Sequence, residues 1–589
     1  MLFPVKREHI GFDWYAPLCV NFGHYSNFAI LPPTAPSPLA ANTLKQVVPF
    51  TPITDKNLKR TPTARIRTDL ALHSPHFGEF LPAFREMLDP VGFEACLIAP
   101  EFLSTRPVYS RHLLRHWPIM LQDGIAEECA IEDLRDISVW FGVASSNDEF
   151  RLVQNLKRLK QGFTRPLTMG LSRIHDFGLR LLQWRNGYLF QEDAKSYFYT
   201  FEIPPAIRKY FGALLVNERG QFKCVRLCVL SQGFVKSPTT AQRFSLGVAR
   251  ESKMNLETND VELEPWLDNF LGASPDLAVS NTLRRSFQDT CHKYNVTLKP
   301  NDASPTQSLD ALSLRFSTVD QSMQMSQAFL DNFNAFVNNT DTNHLTRRSF
   351  LQIFGRILWV FYALRLSASF FPGLMAQMAE ICSHIGEAHR LDGDWWDTEI
   401  QLGGEEAREL LEACARVNLN PKLFYHELAL RPEDAVWAWG DASSYLGAWV
   451  VEPFRGSEET FSTVGFDDHL NQIPIFYKEL YMSALVIDHL CNLYRDTQIL
   501  LLGDNQAALH AIAKGHSMNP VTNDMIQWIY RRAAEANNTV FPAWVSTLLM
   551  RADALTRMRN QPGPRHPITI NVSIPRRGIQ AANEIQPFA

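Results

Sequence analysis

The chain has no CxxC pair among its nine cysteines, and Cys224 and Cys228 stand four residues apart with no second pair nearby. That spacing excludes the usual structural zinc sites and leaves buried thiols in a reducing compartment as the simplest reading. The start, MLFPVKREHIGFDWY, has no apolar run of signal-peptide length. The most apolar stretch, Ile357 to Met378, is interrupted by Arg365 and Pro372 and reads as a buried helix, not a membrane span. The protein is therefore expected to be soluble and intracellular, cytoplasmic or nuclear or both, with no membrane partner. Positive charge is not in excess: 57 Lys and Arg face 62 Asp and Glu, a formal net charge of −5. The total alone does not suggest a nucleic-acid binder, although a local basic channel beside acidic metal sites is compatible with it. There is no internal repeat.

What is present is 589 residues with 46% hydrophobic and 20% charged content, ordinary for soluble globular protein and enough for several cores. Residues 1–62 are rich in proline (PPTAPSP, VPFTPITD), with little periodicity, and read as an extended arm or linker. Residues 63–190 mix helical and irregular patterns, and 191–330 alternate short strands with turns. Residues 331–430 are mostly helical, with Phe350, Ile353, Phe354, Ile357, Leu358 and Phe361 repeating at three and four. Residues 431–558 run strand, strand, strand, helix, strand, helix, and 559–589 have a basic, turn-rich start and form a tail. The fold class expected is a multidomain mixture of α+β and α/β.

The most informative feature is a series of acids in distinct contexts. Asp193 lies in EDAKSYFYTFEIP and Asp268 in PWLDNFLGA, with LSQGFVKSPTTAQ between them; Asp441 lies in WAWGDASSYLGAW, Glu479 in YKELYMSAL, Asp504 in LLLGDNQAAL and Asp553 in RADALTR. Phosphoryl transfer to a nucleic-acid end uses two divalent cations roughly 4 Å apart. Hard oxygen ligands suit magnesium, so carboxylates from different elements must converge. Between Asp193 and Asp268 there is room for a helix and a hairpin.

The first group resembles the palm of a reverse transcriptase. The resemblance implies a right-hand polymerase with fingers in 63–190, palm in 191–330 and thumb and connection in 331–430, where LTRRSFLQIFGRILW resembles the retrotransposon run "LT-R-x-x-x-L-x-x-x-G". It makes Asp193 and Asp268 catalytic metal ligands. Phe198 falls where a ring blocks the ribose 2′ hydroxyl. LSQGFVKSPTTAQ resembles "LPQG-x-x-x-SP", with Ser231 where proline is usual, and gives Gln232 and Gly233 a role against the incoming base and template. The turn "Y-x-D-D" is written here Trp266, Leu267, Asp268, Asn269, so an amide stands in place of the second acid. EFRLVQNLKRLKQGF resembles the fingers strand and assigns Arg151, with Lys157 and Arg158 near it, to the triphosphate, which a guanidinium fork suits. HKYNVTLKPND assigns Lys299 to protonation of the leaving pyrophosphate.

The second group is similar to a ribonuclease H, whose acids come from the first strand, the first helix, the end of the fourth strand and near the last helix. Asp441 follows an alternating run, Val436 to Gly440. Glu479 sits on a helix with Leu480, Ala484, Ile487 and Cys491 on one face, and Asp504 ends an apolar strand. RADALTR resembles the "AD-x-LSR" ending that carries Asp553. No histidine occurs in VSTLLMRADAL, where many cellular enzymes have one, and the asparagine that often precedes the final acid is missing.

Taken in order, the two resemblances imply a retroelement replicase that copies RNA into DNA and cleaves RNA in hybrids. Its cofactor is Mg2+, two per site, with Mn2+ possible. Its partners are an RNA template, a DNA primer and product, an RNA–DNA hybrid and deoxynucleoside triphosphates. The duplex would lie across palm, thumb and nuclease, held by its backbone and therefore salt-sensitive. DAKSYFYTFEI, RKYFG and the aspartate–asparagine turn resemble DIRS-like elements, including the VIPER type of trypanosomatids. The competing expectations are a decayed copy and a nucleic-acid-binding scaffold such as the splicing factor that combines inactive versions of both domains. There is no D-[ST]-G retroviral protease motif and no zinc-knuckle spacing. Oligomeric state is left open.

Overall fold

The computed structural model describes residues 56–557, apart from 62–63, 112, 145–148, 168, 218, 341–343, 385–394, 432, 454–458 and 467–472, together with the backbone of 20–21. The side chains of 111, 144, 157 and 549 are also outside the description. The expected tail, and the expected arm before residue 56 apart from that dipeptide, lie outside the described residues. The chain divides into two compact units, one of Phe50–Arg173 with Gln183–Ala311 and one of Met1–Pro49, Ile174–Leu182 and Leu312–Ala589.

The first unit holds three sheets. Glu262–Trp266, Asn269–Ser274 and Tyr188–Asp193 form an antiparallel sheet in that order. The boundary expected at 190/191 falls inside its third strand, because that strand must reach its terminal aspartate to pair in full. Two helices, Ser237–Met254 and Leu277–Lys293, pack with this sheet. The first begins with proline in its first turn, where a missing N–H costs nothing. The second is capped by the Asp276 carboxylate, which accepts from the Val279 N–H at 2.9 Å. Phe244, Val248 and Ala249 of the first helix are buried with Phe77, Phe84, Phe201 and Tyr294. Phe77, Phe201 and Tyr294 meet Phe244 at ring-centroid distances of 5.2–5.8 Å. A second sheet pairs Glu149–Asn155 with Val139–Ala144 on one side and Asn57–Leu58 on the other. Leu58 is buried and Arg60 pairs with Asp123 at 2.6 Å, so the last residues of the expected arm belong to the compact unit and are not linker. The third sheet orders Tyr109–Arg111, Gly212–Val216, Phe222–Leu227 and Ala126–Glu128.

The second unit contains helices Gln327–Asn338, Arg347–Ala363, Pro372–His384 and Gly404–Leu419. The boundary expected at 330/331 falls within the first of these. All six apolar residues of the three-and-four repeat are buried on Arg347–Ala363. Thr346 and Ser349 cap its start reciprocally. The apolar run expected as one buried helix is two. Arg365 takes a left-handed φ of +58° and ends the first helix, and Pro372 opens the second. No helix among the described residues is long and apolar enough to cross a membrane.

This unit also holds Leu314–Ser317, Ser322–Met325 and Leu423–Phe424, paired in that order in a small sheet, and a larger sheet. The larger sheet carries the acids that follow. Its strands run Thr539–Trp544, Gln498–Gly503, Val436–Ala442, Leu446–Glu452 and Thr460–Gly465, with Val20–Asn21 paired along the first. The three central pairings of Val436–Ala442 and its neighbours are antiparallel toward Leu446–Glu452 and parallel toward Gln498–Gly503, which in turn is parallel to Thr539–Trp544. Val436–Ala442 is central and buried on both faces; the alternation expected there does not appear as alternating exposure. Helix Ile475–Leu493 packs on it. Leu480, Ala484, Ile487 and Cys491 are all buried, as their shared face requires.

Candidate active sites

The first site stands at the end of the antiparallel sheet of the first unit. Asn269 is the register partner of both Trp266 and Asp193, so Leu267 and Asp268 form a two-residue turn beside the end of Tyr188–Asp193. The Ala194 N–H donates to the Asp268 carbonyl at 2.7 Å, which fixes the strand end against the turn. The Asp268 carboxyl is held above its ordinary range, first by burial and then by the negative charge of Asp193, with Lys299 and Arg151 pulling the other way. Asp193, Lys299 and Arg151 thus all act electrostatically on Asp268.

The turn is held from behind. Leu267 has a φ of +58°, a left-handed conformation that disfavours a residue with a Cβ. Fully buried Gln242, on helix Ser237–Met254, donates to the Pro265 carbonyl at 2.9 Å and accepts from the Leu267 N–H at 2.7 Å. Ser245, one turn on, donates to the Leu267 carbonyl at 2.6 Å and meets the Tyr197 hydroxyl at 2.7 Å. These groups over-determine a strained loop and with it the position of Asp268. Gln242 only closes the motif LSQGFVKSPTTAQ and Ser245 lies beyond it, so neither stands out in the sequence.

Asp193 is gripped by Lys299 twice: the ammonium lies 2.6 Å from Oδ2, and the Lys299 N–H donates to the Asp193 carbonyl at 2.8 Å. Its other oxygen, Oδ1, is buried without a hydrogen-bond partner. A buried, orphaned carboxylate oxygen in a site with a second acid fits a hard divalent cation. Asn269 Oδ1 accepts from the Gln191 amide at 2.8 Å.

The remaining expected nucleotide-binding residues fall in several places. Gly233 has a φ of +142°, and a Cβ there would stand 2.2 Å from the Gln154 carbonyl oxygen, so only glycine fits. The Gln154 N–H donates to the Gln232 carbonyl at 3.1 Å, which binds this loop to the strand carrying the exposed Arg151. Phe198 lies half-buried against the core on the turn Tyr197–Thr200. The Arg158 guanidinium is engaged by the Asp136 carboxylate at 2.8 Å and by the carbonyls of Ser104 and Ile137. The Lys157 side chain lies outside the described residues.

The second site is on the six-stranded sheet of the second unit. Asp441 ends the central strand region, Glu479 projects from helix Ile475–Leu493, and Asp504 follows strand Gln498–Gly503. One ligand oxygen from each lies within 4.8 Å of the others. Burial raises the Glu479 carboxyl to about 9, with the charges of Asp441 and Asp504 adding to it. Burial likewise raises Asp441, reinforced by Asp504 and Asp553. Three carboxylates this close disfavour their own ionisation, and a multivalent cation among them relieves that cost. Asp553 is outside the trio, at the start of Asp553–Thr556, with its carboxylate 2.8–2.9 Å from the Arg557 Nε. Two hydroxyls complete the site: Thr556 donates to Asp441 Oδ2 at 2.6 Å and Thr547 to Asp504 Oδ2 at 2.7 Å. Neither threonine was singled out from sequence.

No known family model matches the chain, and no curated protein matches it. Among solved structures it is similar to the foamy viral protease-reverse transcriptase in complex with RNA/DNA hybrid, at 13% identity and a TM-score of 0.43, over 76% of this chain and 55% of that one. It is also similar to the foamy viral protease-reverse transcriptase in complex with dsDNA, at 13% identity and a TM-score of 0.40, over 86% of this chain and 92% of that one. At these values nothing about either site follows from the likeness.

Proposed function

We propose that the chain is a retroelement reverse transcriptase that extends a DNA primer on RNA and DNA templates and cleaves RNA in RNA–DNA hybrids. The observation that carries this reading is the convergence, in one chain, of sequence-distant carboxylates at two places. Asp193 meets the Asp268 turn through adjacent strands, and Asp441, Glu479 and Asp504 lie within 4.8 Å of one another. Counted from Val436, the second set comes from the first strand, the first helix and the end of the fourth strand, the origin expected of a ribonuclease H.

In this reading Asp193 and Asp268 hold magnesium at the polymerase site, and Asp441, Glu479 and Asp504 hold it at the nuclease site, with Asp553 at the rim. Bound there, the ions would activate the attacking oxygen and stabilise the charge on the phosphorus. The chain's own contributions are orientation and charge. Arg151 supplies a cation to the triphosphate, Phe198 bounds the sugar, and Gln232 and Gly233 shape the loop against the base. Lys299 is near enough to Asp193 to donate a proton to a departing oxygen once that contact opens. The DIRS-like subgroup remains the finer proposal, on DAKSYFYTFEI, RKYFG and the Asp268–Asn269 pair.

A second reading, a scaffold that binds nucleic acid without polymerising, draws on one observation: Lys299 neutralises Asp193 while Asn269 is engaged by Gln191. The two readings part in one experiment, deoxynucleotide incorporation on a primed RNA template with Mg2+ or Mn2+, beside cleavage of a labelled hybrid. A polymerase incorporates, and Asp193→Asn with Asp268→Asn lowers the rate roughly a thousand-fold while sparing cleavage; Asp441→Asn does the reverse. A folded wild type that incorporates nothing with either metal sinks the polymerase reading.

A further inference from the structure

Each aspartate of the nuclease trio has one oxygen occupied by a threonine hydroxyl, and both threonines come from the segment that carries Asp553. Thr556 Oγ1 lies 2.6 Å from Asp441 Oδ2 and 3.0 Å from the Asp553 carbonyl. A hydroxyl has one proton, and the shorter, charge-assisted contact takes it. Thr556 is buried, as is Asp441. Thr547 makes the corresponding bond to Asp504 Oδ2 at 2.7 Å, but it is exposed.

We propose that Thr556 is a positioning residue for cation binding at the nuclease site, with Thr547 a weaker counterpart; this rests on the reading of that site as a metal-dependent nuclease. The stereochemistry is direct. A neutral donor on Oδ2 stops the carboxylate from rotating and presents Oδ1 to the ligand position. Being uncharged, the hydroxyl does this without repelling a cation, which a lysine or arginine in the same place would do. It also ties Asp441 to helix Asp553–Thr556, so the strand acid and the rim acid move together. Buried hydrogen bonds to charge are worth more than exposed ones, so Thr556 should outweigh Thr547.

The test is Mn2+ binding to the full chain, followed by electron paramagnetic resonance, in an Asp193→Asn, Asp268→Asn background that silences the other site. Thr556→Val keeps the shape and removes the hydroxyl; Thr556→Ser keeps the hydroxyl. Loss of an outer hydrogen bond to a ligand typically weakens metal binding about 10- to 100-fold. Thr556→Val is expected to fall in that range, Thr556→Ser to bind within about threefold of the parent, and Thr547→Val to lose less than Thr556→Val. Circular dichroism of each variant checks that it folds. Unchanged Mn2+ affinity in folded Thr556→Val, while the parent binds Mn2+ and cleaves hybrid, overturns the positioning role and leaves the nuclease reading intact. Equal losses in Thr556→Val and Thr556→Ser assign the effect to packing and also overturn it. A parent that binds no Mn2+ removes the nuclease reading and the positioning role with it.

Discussion

The two sites restrain their first aspartates by opposite means. Asp193 gives Oδ2 to an ammonium, Lys299, that is about half exposed; Asp441 gives Oδ2 to a buried, neutral hydroxyl. The ammonium stands in for a cation and competes with one. The hydroxyl only orients. The acids also differ in number: the first site has two, with an amide where a third would stand, whereas the second packs three within 4.8 Å and keeps a fourth near. Electrostatic tension is therefore stored mainly in the second site, and the first is partly neutralised by its own lysine. The second site should load divalent cation readily with nothing else bound. On the proposed function, the first site should load when a triphosphate draws Lys299 away.

The sharpest way to break this comparison is pH. The Glu479 carboxyl is raised to about 9 from an ordinary value near 4.5, by burial first. A folded-state pKa above the unfolded one means that stability is fully present below about 4.5 and is lost as pH rises toward about 9, at up to about 1.4 kcal/mol per unit. In EDTA, the urea midpoint of the wild type should fall between pH 6 and 8.5, and Glu479→Gln should flatten that fall. Magnesium should restore the wild type most at the high end. A wild-type midpoint that holds level across this window would show that the trio carries no such tension.

Next in size is the clamp on the Asp268 turn. Gln242→Leu removes both hydrogen bonds and strands the Leu267 N–H and Pro265 carbonyl behind the turn. Unmade buried hydrogen bonds cost about 1–3 kcal/mol each, so thermal unfolding of the variant should come several degrees earlier. Incorporation should fall and hybrid cleavage should not. Equal loss of both activities would mean general destabilisation and not displacement of Asp268.

A smaller effect separates the competing lysine from a merely structural one. Lys299→Met should raise nucleotide-free Mn2+ affinity of the Asp193–Asp268 site about fivefold, near 1 kcal/mol, since the ion pair is partly exposed. The titration is made in an Asp441→Asn, Asp504→Asn background. Unchanged or weaker binding would show that Lys299 orders Asp193 and does not compete for its oxygen.

The comparison also explains what was legible in the chain. Asp441, Glu479 and Asp504 could be read because each ends or occupies an element with its own periodicity, and the elements follow one another in the order the sheet needs. Phe350 to Phe361 announced a helix in the same way. Gln242, Ser245 and Thr556 left no such trace. Their significance is a hydrogen bond to a group remote in sequence, which no local pattern encodes. The break at Arg365 was visible only as an interruption, because a left-handed residue between two buried helices reads as one apolar run. Leu58 and Arg60 were hidden within a proline-rich stretch, since a two-residue strand is too short to have a period.

The smallest predicted effect bears on Asn269. Its amide oxygen accepts from Gln191, and an aspartate oxygen there would accept the same bond, so Asn269→Asp should keep the turn. What changes is charge: a third carboxylate would join Asp193 and an Asp268 that is already held above its ordinary range by burial and by Asp193. With solvent-screened charges the added repulsion is about 0.5–1 kcal/mol. In EDTA the variant should therefore unfold a few degrees earlier than the wild type, and Mg2+ should narrow the gap because a cation gains more from three acids than from two. Lys299 opposes part of the repulsion, so combining Asn269→Asp with Lys299→Met should widen the gap in EDTA beyond the sum of the single changes. Strict additivity would mean that Lys299 and residue 269 do not share one field, and that the first site, unlike the second, is not an electrostatic unit.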